Sequence, residues 1–134
     1  DYCVIDNAPD LNMSVINALV TSDDVLIPIK IDKFAFDGLE QLLEQVDEVR
    51  EFNAGITVQG CFATMVQQNN VNVQGLSWLE QHAGVPLLAT AIRKTVRVDE
   101  STFAGAPLAV YAGGSTAAKD YKALTVEYLR RAEG

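Results

Sequence analysis

Four short runs of unbroken apolar residues alternate with longer stretches in which apolar positions recur every three or four residues. The runs cover residues 2–5, 25–29, 58–65 (interrupted by Gly60) and 86–89, the last extending towards Ile92. Runs of this length without polar alternation fit strands buried on both faces of a parallel sheet. Between them, Leu39, Leu42, Leu43, Val46 and Val49 mark an amphipathic helix. It is expected to start near Asp37 and stop near Asn53-Ala54-Gly55. Ala117, Ala118, Tyr121, Leu124 and Tyr128 draw a second such stripe over residues 117–130, with Ser115 or Thr116 placed to cap it. Weaker periodicity predicts helices near 11–21 and 72–83, and another near 95–103 that ends towards Gly105-Ala106-Pro107. Strands alternating with helices imply right-handed βαβ crossovers: a three-layer α/β fold with a mostly parallel sheet flanked by helices.

Such sheets bind ligands beyond the carboxyl ends of their strands. That rule singles out Asp6-Asn7-Ala8-Pro9 and the segments after Ile29, Thr64 and Ile92. Asp6 follows an apolar run directly, where a carboxylate can hold a cation or a metal-bound water; the local pattern equally fits a cap for the next turn. Gly113-Gly114-Ser115-Thr116 with Lys119 looks like a phosphate loop, but no Lys follows the second glycine, so it reads as a turn and helix cap. His82 stands near a helix end, where an imidazole suits the helix carboxyl terminus, and has no nucleophile pattern beside it. Trp78 is expected on the helix face that packs on the sheet. Glu40, Glu44, Asp47, Glu48 and Glu51 share a helix with the apolar stripe and read as its solvated face.

Length and composition narrow this picture. The 134 residues suit one domain, and 49% of them are hydrophobic. No apolar run approaches the roughly 20 residues of a spanning helix. The net charge of −8 disfavours a free-standing nucleic-acid binder, so any DNA contact must be local or supplied by a dimer or further chain. The one compact basic cluster is Arg93, Lys94 and Arg97, readable as a phosphate-binding patch or as a solvated helix start. Cys3 and Cys61 lie in apolar runs without metal-ligand spacing and read as buried thiols of a reducing compartment. The chain opens at Asp1, close to a strand-like run, which reads as the beginning of a fragment.

Taken in order, the segments resemble the ParA/MinD family of P-loop partitioning and positioning ATPases. Residues 1–9, DYCVIDNAP, resemble that family's strand with its Walker B and switch II segment. Asn17-Ala18-Leu19 sits where the family has a helix after the switch, and Asp24-Val25-Leu26-Ile27-Pro28 resembles the next strand. Residues 34–39 resemble the following helix start, residues 60–65 the next strand and loop, and Ile92 to Arg97 with Glu100 and Gly105-Ala106-Pro107 the closing segment.

The resemblance implies a partial P-loop NTPase fold, the carboxyl-terminal half of such an ATPase. It implies ATP and Mg²⁺ as cofactors of the parent protein, with Asp6 as the catalytic acid that organises Mg²⁺ through water. Asn7, Pro9, Thr64, Met65 and Arg93 become nucleotide-binding candidates, although Thr64 and Met65 by themselves read more readily as strand-end packing. Arg93, Lys94 and Arg97 become candidates for non-specific DNA binding. A homodimer, a ParB-like partner and a cytoplasmic, nucleoid-associated setting follow from the same resemblance. No membrane contact is implied, because the apolar face of the last helix is needed for packing. The family's glycine- and lysine-rich Walker A loop and switch I aspartate have no counterpart in these residues, and Arg93 stands where the family often has proline. Without a phosphate cradle the chain alone is expected to be inactive. Two other readings stay open: a non-catalytic interaction module of the same fold, and a phospho-acceptor receiver domain using Asp6. The latter lacks an acidic pair after an earlier strand and a Lys closing a late one.

Overall fold

The computed structural model describes residues 1–8 and 12–134. Its elements are α1 (Met13–Thr21), β1 (Asp24–Lys30), α2 (Lys33–Val49), β2 (Thr57–Thr64), α3 (Asn70–His82), α4 (Val96–Phe103), α5 (Leu108–Tyr111) and α6 (Thr116–Ala132). Polar side chains start the helices by accepting orphan amides. Asn12 accepts from Ser14 at 2.9 Å, Asp32 from Ala35 at 2.8 Å and Asn69 from Asn72 at 2.9 Å. Thr95 and Ser115 do the same for α4 and α6.

β1 and β2 are parallel, with Ile27 opposite Cys61 and Ile29 opposite Ala63. A bulge lets β2 skip Gln59 in the pairing, so that Leu26 meets Gly60. A third strip runs parallel beyond β2 through bridges Cys61–Leu87 and Val66–Arg93. Cys61 donates to the Pro86 carbonyl at 2.9 Å, and Leu88 and Ile92 donate to the Cys61 and Ala63 carbonyls at 2.8 Å each. Gly60 has φ 139°, and a Cβ there would lie 2.4 Å from the Pro86 oxygen, so this close approach requires glycine.

Helices cover both faces. Ile27, Ile29 and Cys61 pack with Leu39 of α2, Leu79 of α3 and Ala83. Val15 and Leu19 of α1 pack with Val46, Val49 and Ile56. On the opposite face Phe62, Leu88 and Ile92 meet Ala117 and Leu124 of α6, with Leu26 beside them. The chain is therefore a three-layer α/β structure with a parallel sheet flanked by helices, as its apolar pattern implies.

Several expectations are corrected. Residues 2–5 are in no strand: residues 1–8 lie outside every helix and strand, and Val4 is 91% exposed. A strand needs a neighbour's backbone, and β1 pairs with β2 alone among the described residues. For the same reason Cys3 is exposed, while Cys61 is buried. α2 begins at Lys33, before Asp37, because Asp32 supplies the cap, and it ends at Val49, before Asn53. Asn53 instead donates to the Leu19 and Ser22 carbonyls at 3.0 and 2.7 Å, tying down the end of α1. Trp78 does not face the sheet; it is 40% exposed and stacks on Phe36 at 4.4 Å, leaving Gly75 and Leu79 as the buried face of α3. Tyr121 is exposed, whereas Asp120 is buried on α6. The short α5 was not anticipated. The acids of α2 are exposed as expected, and Ser115 caps α6 through its hydroxyl, which accepts from Ala118 at 3.3 Å.

Candidate functional site

The parallel strands bring the ends of β1, β2 and the 87–92 strip to one edge. Lys30 closes β1, and its ammonium lies 3.8 Å from Asp32. Thr64 closes β2, and Met65 then turns through φ 54°, a left-handed conformation rare outside glycine. That turn sets Met65 outward, 46% exposed. The chain next rejoins the strip: Val66 donates to the Ile92 carbonyl and accepts from Lys94, both at 3.0 Å. Arg93, distant in sequence from Thr64 and Met65, is thereby their backbone neighbour at this edge. The loop that follows is polar; Asn72 accepts from the Gln67 amide at 3.2 Å and donates to Asn69 at 2.8 Å.

Arg93 is held from α6. Asp120 Oδ2 accepts from the Arg93 amide at 3.0 Å and from Nε at 2.9 Å, while Oδ1 accepts from Nη2 at 2.7 Å. The guanidinium side chain is 56% exposed and the carboxylate 12%. Paired this way, the Arg93 guanidinium holds the Asp120 carboxyl below its usual range, against the burial that would raise it, and Arg93 is itself held above its ordinary value by Asp120. Seven residues on, Glu127 accepts from the Ala89 and Thr90 amides at 2.8 and 2.9 Å. Burial pushes the Glu127 carboxyl up, but the bonds from Thr90 and Ala89 and the nearby Arg131 bring it below its ordinary value. These amides point at α6 instead of β2, which is why the third strip pairs only at its two ends.

The basic cluster is less free than its sequence implies. Arg97 Nη1 donates to Glu100 at 2.8 Å, and Arg93 is committed to Asp120. Lys94 is exposed and makes no ion pair among the described residues. A second basic surface had no place in the sequence reading: Lys119, Lys122, Arg130 and Arg131 line an open groove of about 750 Å³ together with Ala123, Val126 and Glu127, the last 3.6 Å from Arg131. The signal was present as helical spacing along α6, once the helix is known to bury Ala117, Asp120 and Leu124.

Asp6 is exposed, and beside it Asn7 donates to the Ile5 carbonyl at 3.2 Å. No hydrogen bond joins either residue to Thr64, Met65 or Arg93 among the described residues, and Pro9 lies outside those residues. Among the described residues no group of three or more His, Cys, Asp or Glu could hold a metal. A lone carboxylate nonetheless fits Mg²⁺, which keeps several waters and takes one or two carboxylates together with ligand phosphates. No helix of the described residues is long and apolar enough to cross a membrane.

Comparison with known proteins gives this edge its context. A family model described as an AAA domain matches residues 1–58. The sporulation initiation inhibitor protein Soj of Bacillus subtilis is 33% identical over 129 residues, covering 95% of this chain and 51% of Soj. The chromosome partitioning protein ParA of Caulobacter vibrioides is 30% identical over 132 residues, covering 97% of this chain and 49% of ParA. The fold is shared with cobyrinic acid a,c-diamide synthase from Mycobacterium smegmatis, at TM-score 0.54 and 22% identity over 75% of this chain and 44% of that one. The chain spans about half the length of the curated relatives it matches. With relatives named for chromosome partitioning aligned along nearly its whole length, this chain belongs to the ParA/MinD-type family of P-loop partitioning ATPases.

Proposed function

We propose that this chain is the carboxyl-terminal part of a ParA-like ATPase that partitions chromosomes or plasmids in the cytoplasm, on the nucleoid. The observation that carries the reading is the alignment of nearly the whole chain with about half of Soj and of ParA. In the whole protein ATP and Mg²⁺ drive homodimerisation and non-specific DNA binding, and a ParB-like protein is the partner. Asp6 organises Mg²⁺ through water. Asn7, Pro9, Thr64, Met65 and Arg93 bound the nucleotide. Arg93, Lys94 and Arg97 face DNA phosphates, with Lys94 the cation least engaged by carboxylates. Bound Mg²⁺ would neutralise phosphate charge; the residues of this chain would orient the nucleotide at the carboxyl edge of the sheet.

These 134 residues carry no glycine-lysine phosphate loop, so the chain alone is proposed to be inactive. The test is ATP binding and hydrolysis, with Mg²⁺, on this chain and on the full-length protein. Activity in the long form only, abolished by Asp6→Ala with the fold intact, is the expected result. Unchanged turnover in Asp6→Ala would remove Asp6 from the site. Silence in both forms would leave a non-catalytic interaction module of the same fold.

A further inference from the structure

We propose that Asp120 is a positioning residue which sets the Arg93 guanidinium as a rigid donor to bound nucleotide at the carboxyl edge of the sheet. The inference rests on the nucleotide-binding reading above and adds to it a role for α6. An unpaired arginine at a strand end would sample many rotamers, and fixing it on a ligand would cost conformational entropy. Here Asp120 accepts three bonds, from the amide, Nε and Nη2 of Arg93, which fix both its backbone and the plane of its guanidinium. Nη1 and the second hydrogen of Nη2 are left facing away from the carboxylate, on a side chain that is more than half exposed. Val66 and Arg93 are bridged, so the Arg93 backbone stands one residue along from the outward-turned Met65, at the carboxyl edge of the sheet. Nothing else in the cluster is built this way: Arg97 is tied only to Glu100 on its own helix, and Lys94 is unpaired among the described residues.

A guanidinium edge only donates. It therefore selects ligand atoms that only accept: phosphate oxygens, or a purine edge with two adjacent acceptors. Adenine offers one acceptor and one donor on its N6/N7 edge, and guanine two acceptors on O6/N7. Fixing the donor plane is what makes such a contact selective, because a mobile arginine adapts to either.

The experiment uses the full-length protein with ATP and GTP as probes, measuring both dissociation constants for the wild type, Arg93→Ala, Asp120→Asn and the double variant, and melting temperature alongside. Asp120→Asn keeps the shape and one acceptor oxygen, so it is chosen to fold. Expected is about a tenfold loss of nucleotide affinity in Asp120→Asn, the scale of one charge-assisted hydrogen bond. The ATP-to-GTP ratio should change where the guanidinium edge meets the base and hold where it meets phosphate, and in both cases the double variant should lose no more than Arg93→Ala alone. A purely structural Asp120 would lower the melting temperature while leaving both constants and their ratio unchanged, which overturns the proposal. If Arg93→Ala weakens binding but Asp120→Asn does not, the positioning role is wrong and the nucleotide reading stands. If the wild type binds and neither single variant changes it, Arg93 lies outside the site and the inference fails alone. A wild type that binds neither nucleotide sinks the nucleotide reading and this inference together.

Discussion

Replacing Glu127 by Ala removes the one side chain that satisfies two successive amides of the third strip, those of Ala89 and Thr90. Each bond runs from a neutral amide to an ionised carboxylate, a class worth roughly 1.5–3 kcal/mol. Ala89 is exposed and Thr90 half-buried, so water would recover part of the loss. A net cost of about 2–3 kcal/mol follows, using the lower end of that range for each bond. Against a typical total of 5–15 kcal/mol this is large. Glu127→Gln retains one acceptor oxygen and should cost about 1 kcal/mol. Urea unfolding followed by circular dichroism would measure both, and an unchanged slope would show that native-state stability had moved. Hydrogen exchange should report faster opening at the Ala89 and Thr90 amides than at Leu88 and Ile92, whose bonds go to β2. The carboxyl is depressed in the folded chain relative to its ordinary value of 4.5. Its stabilisation is therefore complete above pH 4.5 and is lost as pH falls through the lower folded value. A cost below about 0.5 kcal/mol at neutral pH in Glu127→Ala, within ordinary surface variation, would refute the argument that α6 holds this strip through its carboxylates.

Gly60→Ala should destabilise by more than about 2 kcal/mol, since it adds a Cβ against the Pro86 carbonyl at a positive φ; a near-native urea midpoint would show that β2 and the strip can separate. Tyr128 donates to Asp24 at 2.8 Å, and burial together with that carboxylate pushes its phenol up to about 12. Absorbance titration should find one tyrosine ionising near that value. The stability it contributes is present below the ordinary value of 10 and lost as pH rises from there to about 12; a Tyr128→Phe variant with the same titration curve would contradict the assignment.

How far the sequence reaches can be judged from particular elements. The helices were legible because their signals are local: a 3.6-residue stripe lies within one stretch, as in α2, and in α6 a polar cap stands beside it. β1 and β2 were legible because buried parallel strands are apolar throughout. The family was legible from short segments in order, none of them specific alone. What needed tertiary structure was every property set by a partner distant in sequence. The run at residues 2–5 looks like the other strands, but strand formation requires a neighbouring edge, and residues 1–8 lie outside the sheet. The third strip is interrupted because two of its amides bond to Glu127, 37 and 38 residues away. Periodicity could not foresee that the inward face of α6 carries Asp120 and Glu127 beside Ala117 and Leu124, because the stripe rule counts carboxylates as solvent-facing. Composition and pattern thus determined the layers and the carboxyl edge to which the rule for ligand binding in parallel sheets points. Only the packed chain decided that Thr64, Met65 and Arg93 meet there, that Arg93 is held by Asp120, and that two of three basic side chains already face carboxylates, since these depend on contacts no local pattern encodes.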